Sequence, residues 1–131
     1  MENKTTVTFA PQLYIPHGTM ELDFYHHAFN AIELRRFGND DGSIHVSEMT
    51  IGGALFHFHE ENETKGTVPP ARHNSVTTII GLFVPDVDAV MRQAITAGAT
   101  LRSPARDYDY GYRQGEIKDP LGHHWLIEKA I

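Results

Sequence analysis

Cysteine is absent from this 131-residue chain. Disulfides, a thiolate nucleophile and cysteine-ligated metal are therefore excluded. No apolar run approaches the ~18–20 residues of a membrane span, so a membrane partner is not expected. The opening Met1–Thr6 has neither the basic head nor the apolar block of a secretory leader. Cytoplasmic location is the expectation. Basic residues are scarce, 11 against 17 acidic, for a formal net charge of −6. With no Lys/Arg run to offset that balance, nucleic acid is not an expected partner. No Gly-x-Ser-x-Gly elbow and no phosphate-cradling loop occurs. What the chain does have is a hydrophobic fraction of 40% and 9 histidines, in the length of a single domain. Imidazole is the commonest metal ligand and titrates near neutral pH, so the placement of these histidines matters.

The pattern runs strand, helix, strands, and then restarts. Phe9–Ile15 reads as a strand with Pro11 at its start. A helix follows, with Thr19 as its cap and Glu21 and Asp23 in the first turn. Leu22, Phe24, Tyr25, Ala28 and Phe29 share its apolar arc, while Asp23, His26 and His27 face water. Ser43–Thr50 and Gly53–His59 alternate as strands around a tight turn at Ile51-Gly52-Gly53. The polar stretch 60–74, with Pro69-Pro70, reads as a linker or mobile loop. Val76–Val84 is again a strand. The i, i+3, i+4, i+7, i+8 spacing of Val87, Val90, Met91, Ala94 and Ile95 predicts a helix over Val87–Ala97, stopped by Gly98. Asp119-Pro120-Leu121-Gly122 carries type I turn preferences between two further strands.

The restart shows in corresponding residues, Tyr14-Ile15-Pro16 with Phe83-Val84-Pro85 and Phe29-Asn30-Ala31 with Ala97-Gly98-Ala99. The expected boundaries are module one at about 7–60, a linker at about 61–74 and module two at about 75–131, together one domain.

Several stretches resemble the vicinal oxygen chelate superfamily of glyoxalase I, extradiol dioxygenases and bleomycin and fosfomycin resistance proteins. They are Leu22-Asp23-Phe24-Tyr25, Glu48-Met49-Thr50-Ile51-Gly52, Val84–Val90, Tyr110-Gly111-Tyr112-Arg113 and Asp119–Trp125. The resemblance is strongest to the branch with phosphonate-operon and demethylubiquinone-methyltransferase-like proteins, and it spans essentially the whole chain. It implies an α+β fold, two βαβββ modules forming a curved, cup-shaped mixed sheet, and a homodimer. It does not imply one activity, because this fold hosts lyases, isomerases, oxygenases and pure binders.

Metal-dependent members hold one divalent ion with four side chains. Carried over position by position, those fall at Ala10, His57, Ile79 and Leu126. Alkyl groups at three of them predict that the inherited metal site is lost, so no cofactor is expected. A relocated divalent site would use His57 and His59, which share a strand face, with Glu48 from the neighbouring strand.

Period-two alternation directs Gln12, Tyr14, Leu55, His57, His59, Gly81, Phe83, His124 and Glu128 into the cup. Of His123 and His124 only one can face it, and His124 is the choice. The expected ligand set is Gln12, Tyr14, Glu48, His57, His59, Phe83, Tyr110, Arg113 and His124. Glu48 is either an anchor or general base with its pKa raised by burial, or a carboxylate paired with Arg35 or Arg36. The tyrosines of 107–113 either stack on a flat ligand or pack at a dimer contact, with Arg113 offering a planar donor fork.

Two functions follow. One is a metal-free protein that binds a small aromatic or cationic molecule. The other is a lyase, isomerase or dioxygenase-type enzyme with Glu48 and His57 as catalytic residues.

Overall fold

A computed structural model describes residues 6–131, so Met1–Thr5, part of the stretch read for a leader, lie outside it. Each half of the chain runs strand, helix, then a meander of strands. The first contains β1 (Gln12–Ile15), α1 (Asp23–Phe29), β2 (Ile32–Gly38), β3 (Ile44–Ile51) and β4 (Ala54–Glu60). The second contains β5 (Ile79–Phe83), α2 (Val87–Ala97), β6 (Thr100–Tyr108), β7 (Tyr112–Lys118) and β8 (His124–Ala130). The strands form two four-stranded sheets, ordered β1-β4-β3-β2 and β5-β8-β7-β6. In each, the first strand runs parallel to the last and the rest are antiparallel. This is the α+β architecture of paired βαβββ units. No helix among the described residues is long and apolar enough to cross a membrane.

The turns explain much of this. Gly52 and Gly53 both take positive φ, 55° and 84°. A two-residue type I′ hairpin between β3 and β4 requires that conformation at both positions. At the β7–β8 turn the Gly122 N–H donates to the Asp119 carbonyl at 3.0 Å. Asp86 caps α2, its side chain accepting from the Ala89 N–H. Helix α1 ends at Asn30, held in the left-handed region. The expected cap at Thr19 is not formed: its hydroxyl donates to the Pro16 carbonyl, and Leu22 occupies the N-cap without a side-chain bond.

The core lies on one face of each sheet, under the helices. Tyr25 packs on Phe58, with ring centroids 4.6 Å apart, and Phe29 on Trp125 at 4.8 Å, so α1 bridges β4 of the first sheet and β8 of the second. Val87, Met91 and Ala94 bury the inner face of α2, and Met91 rests directly over Gly115 of β7. The opposite, helix-free face of both sheets is open.

The connection after β4 differs from the loose linker read in the sequence. It holds 3-10 turns at Glu63–Lys65 and Pro70–Arg72, and it buries Pro69 and Glu61. Glu61 is gripped by Arg72, Nε to Oε1 and Nη2 to Oε2, both at 2.8 Å. A carboxylate is tolerated inside because a planar guanidinium meets it in two places.

Candidate functional site

Strand alternation places the expected polar side chains on the helix-free face. Across the first sheet one row reads Gln12, His57, Glu48, Arg35, and the next Tyr14, His59, Val46, Phe37. Across the second sheet they read Gly81, Leu126, Glu116, Ser103 and then Phe83, Glu128, Gln114, Arg106.

Within the first row Glu48 is already engaged. Arg35 donates through Nε to Oε1 at 2.8 Å and through Nη2 to Oε2 at 3.3 Å. That hydrogen bonding holds the Glu48 carboxyl below its ordinary value, reversing the upward shift expected of a general base. His57 Nε2 stands 4.0 Å from Glu48 Oε2. His59 lies beside it, ring centroids 5.7 Å apart, with its Nε2 buried and unpartnered among the described residues. Desolvation lowers its pKa, which favours the neutral imidazole.

The larger cavity does not lie over these histidines. It is a cleft of about 850 Å³ at the seam where the open edges of β1 and β5 face each other, closed on one side by the connection through Val68–Ser75. Of the expected ligand residues, Gln12 and Tyr14 line it. Ala10, Pro11, Ile79 and Ile80 supply apolar wall, and His73 and His123 supply polar groups. A smaller cleft of about 410 Å³ continues along the same seam by Leu55, Leu82 and Trp125.

One placement corrects the sequence reading. Arg113 is on β7, one residue from Tyr112, and therefore points to the helix side. Its Nε and Nη2 donate to Asp88 of α2 at 2.9 and 2.8 Å, and its Nη1 to Asp107 at 3.0 Å. It is a structural clamp and offers no fork to the open face. The cleft is lined by His73 and by His123, whose Nε2 donates to the Tyr14 carbonyl at 2.9 Å across the seam. His124 lies on the helix-free face with Ile79, Leu126 and Glu128 but outside the cleft lining, 3.6 Å from Glu116, with its pKa lowered by burial. Phe83 and Tyr110 remain exposed on the open face.

The donors at the positions carried over for a divalent ion do not fit one. Ala10 and Ile79 bring alkyl groups to the seam, Leu126 offers no lone pair, and His57 alone can ligate. Nor do His57, His59 and Glu48 converge. Among the described residues, the group of three whose possible ligand atoms all lie within 4.8 Å of one another is His17, Glu61 and Glu63. There Glu61 already accepts from Arg72 and from the His17 backbone N–H, so the group is a satisfied ion-pair network.

Two carboxylates escape sequence reasoning. Asp119 is buried and gathers the Tyr25 hydroxyl, the Trp125 indole and the backbone N–H groups of Leu121 and His123. The turn signal locates it but cannot reveal its distant partner. Glu128 faces the cup by alternation, yet nothing in the sequence shows that it is buried there.

Comparisons with known proteins agree with this architecture. An uncharacterized protein of Mycobacterium bovis is 30% identical over 125 residues, covering 93% of this chain and 82% of that protein. Among solved structures, a gene product of Arabidopsis thaliana superposes with a TM-score of 0.70 at 20% identity, covering 95% of this chain and 100% of that one. A mutant of the fosfomycin resistance protein FosX from Listeria monocytogenes, complexed with Mn(II) and a dihydroxypropylphosphonic acid, gives 0.70 at 15% identity, covering 98% and 93%. The family model for the glyoxalase/bleomycin resistance protein/dioxygenase superfamily matches residues 11–127, and the chain belongs to that superfamily.

Proposed function

We propose that this protein binds a small organic molecule in the seam cleft without a metal ion. The cleft itself carries the reading. Its volume is about 850 Å³. That size is usual for small-molecule sites, as is an apolar wall with a few convergent polar groups. FosX is complexed with Mn(II), whereas this chain has alkyl groups at Ala10 and Ile79, two positions carried over for a divalent ion. Recognition then rests on apolar burial, with Gln12, His73 and His123 supplying hydrogen bonds.

Titration with the neutral fluorophore N-phenyl-1-naphthylamine tests this. Saturable binding is expected, weakened at least tenfold in Ile79→Arg, which sets a charge on the cleft wall. Equal binding by that variant would move the site elsewhere.

One observation favours a second, enzymatic reading. The Nε2 of His59 finds no partner among the described residues, and a substrate that displaces the groups covering it would meet a free proton acceptor. His59→Ala abolishing turnover of any substrate while leaving fluorophore binding intact would select it.

The proposed assembly is a homodimer. Ile32, Phe37 and Leu55 are exposed on the helix-free face of the first sheet, where a second copy can cover them.

A further inference from the structure

On the second sheet stands a carboxylate without a cation. Glu128 is 7% exposed. Its Oε1 accepts a hydrogen bond from the Gln114 side-chain amide at 2.8 Å, and Gln114 in turn accepts from the Tyr110 hydroxyl. No hydrogen bond or ion pair from the described residues reaches Oε2. That oxygen lies over Gly81, where a β-carbon would stand only 2.7 Å away. Glycine thus leaves the space the carboxylate occupies. A mostly buried carboxylate whose one protein partner is a neutral amide, and whose Oε2 is still open to its surroundings, is well served by a cation beside that oxygen.

The surroundings are aromatic. Phe83 meets Tyr112 edge-on at 6.4 Å, Tyr112 lies 6.2 Å from Tyr110, and Tyr110 stacks on Tyr108 at 5.2 Å. Phe83 is 65% and Tyr110 60% exposed, so these rings have uncovered surface. The wall already receives one cation, because the Arg106 guanidinium sits 4.6 Å over Tyr108. That arginine occupies the ring at the far end of the row and forms no ion pair with Glu128. Tyr110, Tyr112 and Phe83 are left for a ligand.

We infer that Glu128, with Tyr110, Tyr112 and Phe83, forms a recognition site for an organic cation, an alkylated or protonated amine. Rings offer a negative face to such a group and the carboxylate supplies the opposing charge. Gly81 borders both this site and the seam cleft, so the ligand class that fits is an aryl ammonium, with its apolar body along the seam and its head at Glu128. This inference rests on the proposed binding function and adds the charge of the ligand to it. The net charge of −6 favours the approach of a cation.

The test is a titration of the full chain with benzyltrimethylammonium, followed by the ring-proton resonances of its Tyr and Phe residues, with benzyl alcohol as the neutral counterpart. Saturable shifts are expected with the ammonium bound at least tenfold more tightly than the alcohol. That preference should vanish in Glu128→Gln, which keeps an acceptor for Gln114, and shrink in Gly81→Ala, which displaces the carboxylate. Glu48→Gln should retain it. Equal binding of ammonium and alcohol, or a preference that survives Glu128→Gln, overturns the inference. So does an oligomeric mass that changes in Glu128→Gln, since the carboxylate would then belong to a subunit contact. If the neutral fluorophore still binds the seam while the ammonium shows no preference, this inference alone fails; if neither binds, the binding function fails with it.

Discussion

The Tyr25 hydroxyl donates to Oδ2 of the buried Asp119 carboxylate at 2.6 Å, tying α1 of the first half to the β7–β8 turn of the second. The same oxygen accepts from the Trp125 indole at 2.9 Å, while Oδ1 accepts the Leu121 and His123 N–H groups. The turn that positions His123 against Tyr14 is therefore fixed by a residue ninety-four positions away in sequence.

Removing that node should loosen the seam. Tyr25→Phe is expected to cost about 1 kcal/mol, one net hydrogen bond. Asp119→Ala should cost about 3 kcal/mol, because it strands the buried indole N–H together with backbone donors. Urea unfolding measures both, and an Asp119→Ala chain as stable as Tyr25→Phe would contradict the assignment.

Acid should act through Glu60. Hydrogen bonds from His17, His45 and Asn39 hold its carboxyl at about 2, against an ordinary 4.5. A lowered folded-state pKa means stability present above pH 4.5 and lost as pH falls toward 2. Melting temperature followed over that window should fall less in Glu60→Gln. Parallel curves for the two proteins would show that the cluster does not govern acid unfolding.

Much of the fold is legible in the sequence because its signals are local. Gly52-Gly53, the Asp119–Gly122 turn, and the spacing that bounds α2 at Val87–Ala97 each act over a few residues. The edge strands β2 and β6 give no such signal. Register shifts after Glu33 and after Leu101 and Ser103 break their alternation, and Pro104 is tolerated only at an edge. Arg113 escapes a sequence reading for a related reason. The period-two reading of the cup does not extend to 107–113, so nothing in it separates Arg113 from Tyr112. The site is legible as a face but not as a cleft. Alternation groups Gln12, His57 and Glu48, whereas the seam arises from how β1 and β5 face each other, which no local spacing encodes.

Glu48 is not the anchor of the proposed seam site. Arg35 saturates its carboxylate and the cleft lies beyond it. Glu48→Ala should therefore change fluorophore affinity less than about twofold and leave the melting temperature nearly unchanged, since Arg35 is an exposed partner. A loss of tenfold or more would return the ligand to the His57 row.

The proposed dimer predicts a light-scattering mass of twice 14.7 kDa at micromolar concentration, halved by Phe37→Glu on the covered face. A wild-type chain that runs as one copy would rule the dimer out.

Metal-free binding at the seam is tested most directly by fluorophore titration of protein dialysed exhaustively against a chelator, with metal content measured on the same sample. Substoichiometric metal and undiminished affinity are expected, unaltered when Mn(II) or Zn(II) is restored. Binding that disappears on chelation and returns with either ion would contradict it.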